Sequence, residues 1–320
     1  MALRHKLAAA CAVLTVAIAP VPASAAQFIN ILTGGTSGVY YPMGVALSKI
    51  FSTSMDDVRV QVQATKASVE NLNLLQAGKG ELAFSLGDSV KAAVEGDAEA
   101  GFVQPLDKLR GVAGIYPNFI QIVASAESGI TTLDDLRGRR ISVGAPKSGT
   151  ELNARAIFEA AGMTYEDFAK VEFLPFAESV ELMKNRQLDA TLQSAGLGVA
   201  SLKDLSTSIP ISVVAVPVEI AETLGAPYIS SVIPADTYDG QTEDVVTVAV
   251  INFLITHEDV PEETVYEMTR GMYENLGELR AAHSAAEGID VQNALVGMPV
   301  PIHPGALRYL EEQGVDTSGF

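Results

Sequence analysis

Apolar residues fall along this chain in short runs and in stripes at helical spacing, separated by small polar loops. The run Phe28 to Leu32 predicts a buried strand. After Thr33-Gly34-Gly35-Thr36-Ser37-Gly38, the residues Tyr41, Val45, Leu47, Ile50 and Phe51 recur at the period of a helix that begins at Tyr40. The same order then repeats. Val58 to Val62 alternates as a strand, Ala64 to Ser68 is a polar loop, and Val69 to Ala77 is a helix ended by Gly78. Glu81 to Leu86 predicts a third strand, Gly87-Asp88-Ser89 a third loop and Val90 to Val94 a third helix. Strand, loop and helix in succession build a parallel sheet, whose binding sites gather at the carboxyl ends of the strands.

Leu109 to Ser125 is long, strand-like and bent at Tyr116-Pro117, which suits a crossover between two bodies. Beyond it, Thr132 to Leu136 predicts a short capped helix and Arg140 to Val143 a strand. A second Gly-rich polar loop follows, Gly144 to Glu151, in which Ser148 and Glu151 have capping-box spacing ahead of a helix from Leu152 to Ala160. Val171 to Leu174 and Leu188 to Leu192 are further strands, with a helix from Ala177 to Lys184 between them, and Gln193 to Gly198 reads as another small polar loop. A strand at Ile209 to Ala215 and a helix at Val218 to Leu224 precede the return through Tyr228 to Ile233 and Val245 to Ile255. Helices near Pro261 to Leu276, Leu279 to Ala286 and Gly305 to Gln313 close the chain. The expected organisation is two α/β lobes, residues 26–115 plus 234–320 and residues 116–233, joined by crossing strands and able to close by hinge motion.

The beginning of the chain changes the setting. Arg4 and Lys6 precede an apolar run from Leu7 to Ala19, and Ala23-Ser24-Ala25 supplies small residues at cleavage spacing, so residues 1–25 read as a secretory signal peptide. The expected location is the periplasm. Cys11, the single cysteine, falls inside that segment, so the exported chain is stabilised by its core rather than by disulfides. Processing leaves 19 basic against 39 acidic side chains, a net charge of −20. Such a surface excludes nucleic acid and anionic membranes as partners.

Catalytic patterns are thin. There is no G-x-S-x-G elbow, no H-E-x-x-H and no phosphate-binding loop with its lysine. His257, His283 and His303 have no metal-ligand spacing and read as surface or cap residues. Asp236-x-x-Asp239-Gly240 lacks the carboxylates of a calcium loop and reads as a turn. Neither an enzyme nor a cofactor or metal protein is expected. Hydroxyls, amides and Gly-rich loops at helix starts are instead the groups that receive an anion.

At this point a resemblance enters. TGGTSGVYYPMG resembles the N-terminal signature of the TAXI proteins, the extracytoplasmic solute receptors of TRAP transporters, and the similarity continues through ATKASVENLNLL, AFSLGDSV, LRGRRISVGAPKSGTE, TEDVVTVAV, THEDVPEETVYEMT and HPGALRYLEEQG. It implies a type II periplasmic-binding-protein fold: two lobes around a central cleft, with crossing hinge strands. It also implies a monomeric receptor that carries a small organic acid or amino acid, glutamate or dicarboxylate-like, to fused TRAP membrane subunits driven by an ion gradient. A sensor that presents the solute to a membrane histidine kinase would use the same fold. Carried onto this chain, the ligand contacts are Thr36, Ser37 and Tyr40 in the first loop, Ser68 and Asn71 in the second, Ser148, Gly149 and Thr150 at the later helix start, and Gln193 and Ser194 facing them. Among the nearby cations Lys66, Lys147 and Arg155, Lys147 is the one expected to meet a second carboxylate. Thr36-Ser37-Gly38 stands where the family often has Thr-Gly-Gly, which makes Ser37 a position that tunes the choice of acid.

Overall fold

The computed structural model describes residues 27–320, so the export segment expected at 1–25 lies outside the described residues. In chain order the first elements are β1 (Gln27–Leu32), α1 (Tyr40–Ser54), β2 (Val58–Gln63), α2 (Ser68–Gln76), β3 (Leu82–Leu86), α3 (Gly87–Glu95) and the long β4 (Leu109–Ser125). Next come β5 (Arg140–Ser142), α4 (Gly149–Ala160), β6 (Lys170–Glu172), α5 (Phe176–Lys184), β7 (Ala190–Ala195), α6 (Ala200–Ser208), β8 (Ile211–Val214), α7 (Val218–Leu224) and β9 (Tyr228–Ile233). The chain returns on β10 (Val245–His257) and ends with α8 (Glu262–Glu274), α9 (Leu276–Ala282) and α10 (Pro304–Glu312).

One mixed sheet runs in the order β2-β1-β3-β10-β4-β7-β5-β6, with β8 on β4 and β9 on β10. β1 is parallel to β2 and β3, and β5 is parallel to β6 and β7; the two parallel sets are joined by antiparallel β4 and β10. Helices pack against both parallel sets, and two apolar cores result. One includes Ile29, Ile31, Met43, Leu72 and Phe253; the other includes Ile120, Ile141, Ile157, Phe158 and Val248. β10 contributes to both. Its residues Val245 to Val250 pair with β9, whereas Asn252 to Ile255 pair with β3, so the return crossing lies within this strand.

Two expected loops belong to regular elements. Gly87-Asp88-Ser89 is the first turn of α3, where a side chain on Gly87 would come within 2.8 Å of the Phe253 ring, so that glycine serves close packing. Gln193-Ser194-Ala195 is the end of β7, paired with Phe119 to Gln121 of β4. Polar character alone made both segments read as loops; in each case the polar side chain has a place inside the fold. The histidines divide as well. His283 and His303 accept helix-start N–H groups, whereas His257 is buried and neither of its ring nitrogens has a hydrogen-bond partner among the described residues. Asp236 to Gly240 forms a turn.

At the crossing, Ile251 pairs with Pro117 and Phe253 with Gly114, so Asn252 stands opposite two residues in a β-bulge. Its side chain fills the broken ladder. Asn252 Nδ2 donates to Tyr116 O at 2.9 Å and to Asn118 Oδ1 at 2.7 Å, while its Oδ1 accepts from the Tyr40 hydroxyl. Asn252→Ala should leave three buried polar groups without this partner and lower the unfolding free energy by about 3 kcal/mol. Urea unfolding measures it, and a loss below roughly 0.5 kcal/mol, the low end for a typical hydrogen bond, would show that the bulge does not depend on this amide.

Candidate functional site

The loops and strand ends that follow the parallel directions meet at one cavity of about 120 Å³. Leu86 at the end of β3 and Ala195 at the end of β7 form its floor with Asn118 of β4. Gly34 and Gly35, which follow β1, line one side, and Ala145, which follows β5, lines the other. Four helices begin at this cavity: α1 at Tyr40, α2 at Ser68, α4 at Gly149 and α5 at Phe176, and all four of these residues line it. Among the described residues no side chain caps α1, α2 or α5; Ser148 Oγ caps α4 by accepting from Glu151 N at 3.2 Å. The first-turn N–H groups of four helices, each carrying about half a positive charge at its end, therefore face one small volume.

The local sequence explains how the starts are aimed. The Gly35-Thr36-Ser37-Gly38 turn closes with Gly38 N donating to Gly35 O at 3.0 Å, which delivers Tyr40 directly beside the strand ends. Ala67 takes φ 70° and ψ −148°, a region that costs a residue with a side chain about 1–3 kcal/mol, and this bend turns the start of α2 into the cavity. Asn71 holds the bend in place. Its Nδ2 donates to Thr33 O at 2.7 Å and Phe84 O at 2.8 Å, and its Oδ1 accepts from Thr65 Oγ1 at 2.6 Å.

Of the residues expected at the ligand, Tyr40, Ser68, Ser148, Gly149, Thr150 and Ser194 line the cavity. Thr36, Ser37, Asn71, Lys147 and Gln193 do not. Thr36 and Ser37 occupy the corners of the first turn, with Thr36 exposed and Ser37 half-buried. Asn71 spends its amide on the loop backbone, as above. Lys147 adopts φ 57°, which turns its side chain outward against Gly101; Lys66, at the rim, is the lysine that lines the cavity. Gln193 alternates with Ser194 along β7 and faces the other side of the sheet, where its Oε1 accepts from Ser201 Oγ at 2.6 Å. Arg155 is held by Glu151 at 2.7 Å and by Glu99 O at 3.3 Å, away from the cavity. Asn118 and Phe176 were not expected. A lone amide after Pro117 in an apolar strand was the available signal for the first; nothing but its place after Pro175 marked the second.

The cavity floor is wired to the crossing strands. The Tyr40 hydroxyl donates to Asn252, Asn252 donates to Asn118 Oδ1, and Asn118 Nδ2 donates to Ser194 O at 3.0 Å. The Tyr40 ring stacks on Phe84 with centroids 5.0 Å apart, and burial pushes its phenol well above the ordinary range, so it stays a neutral donor. Ser194 Oγ is buried and has no partner among the described residues.

The two halves touch around the cavity. A side chain on Gly149 would lie 2.5 Å from Ser68 Oγ and 2.7 Å from Leu86 Cδ1, so only a glycine lets α4 approach α2 this closely. Behind Leu86, Asp88 Oδ2 accepts from Asn153 Nδ2 of α4 at 2.5 Å and from the Tyr228 hydroxyl of β9 at 2.7 Å. Burial raises the Asp88 carboxyl above its ordinary value; the Tyr228 hydrogen bond, the amides of its own turn and Asn153 oppose the rise without cancelling it.

The family model described as the NMT1-like family matches residues 31–314. Among solved structures, the chain is similar to PhnD1 from Prochlorococcus marinus (MIT 9301) in complex with methylphosphonate, with a TM-score of 0.57 at 12% identity over 90% of this chain and 97% of that one. It is also similar to the periplasmic binding protein BugD, with a TM-score of 0.56 at 11% identity over 90% and 94%. A protein assigned as an L-cystine ABC transporter from Listeria monocytogenes gives 0.52 at 13% identity over 82% and 98%. At these identities the likeness is one of fold: the two-lobe architecture of periplasmic binding proteins. Among the described residues no helix is long and apolar enough to cross a membrane.

Because its carboxyl is raised in the native chain, Asp88 retains a proton at pH values above the ordinary 3.8 where the unfolded chain has lost it. Its stabilising contribution is complete below that ordinary value and is lost as pH rises through the raised one. Asp88→Asn should therefore flatten the decline of melting temperature as pH rises above the ordinary 3.8. An unchanged slope would place the decline elsewhere.

Proposed function

The chain belongs to the NMT1-like family, and we propose that it is a periplasmic solute receptor that closes two lobes around a small organic acid and hands it to a membrane transporter. The observation that carries the reading is the meeting of four helix starts at one cavity that no acidic side chain lines among the described residues. A carboxylate there accepts N–H groups from Ser68, Gly149 and their neighbours and the hydroxyl hydrogens of Thr150 and Ser194. Charge-assisted hydrogen bonds of this kind contribute roughly 1.5 to 3 kcal/mol each. Surface charge does not oppose it strongly, because screening over about 8 Å removes most of the field of distant carboxylates.

The closing bodies proposed are residues 26–115 plus 234–320 and residues 116–233, with the strand pairing of β10 favouring a return hinge near Asn252. The proposed recipient is a TRAP-type transporter driven by an ion gradient, on the strength of the signature TGGTSGVYYPMG and the segments that follow it. An ATP-driven importer is the competing recipient. Uptake by membrane vesicles supplied with the loaded receptor separates them, since the proposed route proceeds on a sodium or proton gradient without ATP.

Two results test the receptor itself. In a panel of small carboxylic acids, at least one at a hundred times its Kd should stabilise the chain by about 2.7 kcal/mol, a rise of several degrees in melting temperature. A flat response across the panel would count against the reading. Gly149→Val should hold α4 off Ser68, keep the unliganded melting temperature within about 2 degrees, the scale of a sub-kcal change in a chain of this size, and abolish the rise. An undiminished rise in that variant would show that binding needs no closure.

A further inference from the structure

Resting on the receptor reading above, we infer that the solute carries no ammonium group: it is an acceptor-only organic acid, such as a keto acid, and not an amino acid. The geometry that points there is an imbalance between donors and acceptors around the cavity. Its donors are free. Among the described residues no side chain caps the N–H groups that open α1, α2 and α5, and Ser194 Oγ lies buried without a partner.

Most of the acceptors on the wall are already engaged by the protein. Asn118 Oδ1 accepts from Asn252 at 2.7 Å, and Ser194 O accepts from Asn118 at 3.0 Å. Gly35 O is taken by Gly38 N at 3.0 Å, Ala145 O by Ser148 N at 3.1 Å, and Pro175 O by Ser179 N at 3.0 Å and Ser179 Oγ at 3.1 Å. Ala67 O accepts from Asn71 N at 3.0 Å. Among the described residues no Asp or Glu lines the cavity. Of the carboxylates nearest in sequence, Glu151 pairs with Arg155 at 2.7 Å, and Asp88 lies behind Leu86 with Asn153 and Tyr228 donating to it.

An ammonium has three donors and no acceptor. Moved into this cavity it would exchange three waters chiefly for hydroxyl oxygens such as those of Thr150 and Ser194 and for carbonyls that mostly accept from the protein already, and a buried charge left short of partners is strongly unfavourable. A keto oxygen in the same position only accepts, which suits the free donors. The apolar part of the wall, Leu86, Pro175 and Phe176 among it, covers the body of the acid, and the rim lysine Lys66 is the one cation on the wall for a distal second carboxylate.

The test is calorimetric titration of the full exported chain with matched pairs that differ in one group: α-ketoisocaproate against L-leucine, phenylpyruvate against L-phenylalanine, and α-ketoglutarate against L-glutamate. The expected result is that at least one keto acid binds and that its amino acid binds at least about tenfold more weakly, the scale of one unpaired charged group. An amino acid that binds as tightly as its keto partner overturns this inference and leaves the receptor reading standing. Failure of every pair, together with failure of acetate, succinate and methylphosphonate, overturns the receptor reading and this inference with it.

Discussion

Unsatisfied backbone N–H groups at helix starts are the constraint around which this molecule is arranged. A helix leaves its first N–H groups without internal partners, and water or a side chain normally takes them. Here α1, α2 and α5 begin without side-chain caps, and with α4 they begin at the same small cavity. The sheet order makes this convergence unavoidable, because the two parallel sets of strands present their carboxyl ends to the same gap on either side of β4 and β10. An anion that fills the gap completes four helix ends at once.

The second feature is that the cavity is continuous with the crossing strands β4 and β10. Tyr40, Asn252, Asn118 and Ser194 form one hydrogen-bonded line from the start of α1, across both crossing strands, to the end of β7. The proposed movement of one half against the other would shift this line, and a ligand touching Tyr40 and Ser194 would be in contact with its two ends. Around the cavity the halves meet through the glycine contact of α4 on Ser68 and through Asp88, whose donors come from α4 and β9. A buried carboxylate with only part of its hydrogen-bonding capacity filled is a weak latch.

Much of this was legible in the chain. Apolar runs and helical stripes located the strands and helices, and the hydroxyls at predicted helix starts, Ser68 and Ser148, do reach the cavity, as do Tyr40, Gly149, Thr150 and Ser194. What sequence spacing does not encode is direction. The turn from Gly35 to Gly38 points Thr36 and Ser37 outward, a positive φ turns Lys147 away, and the period of two in β7 separates Gln193 from Ser194. Asn71 occupies a helix-start position yet serves the backbone of its own loop. Asn118 escaped notice because one amide inside an apolar strand gives no pattern, and Phe176 because an aromatic at a helix start looks like core.

The most direct test is the amide spectrum of the protein. In two-dimensional nitrogen–proton correlation spectra, addition of a bound keto acid should shift the amides of Tyr40, Ser68, Gly149 and Phe176 together and downfield, as N–H groups that acquire an anionic acceptor do. Shifts confined to surface lysines and loop tips, with those four amides unmoved at saturation, would contradict the account.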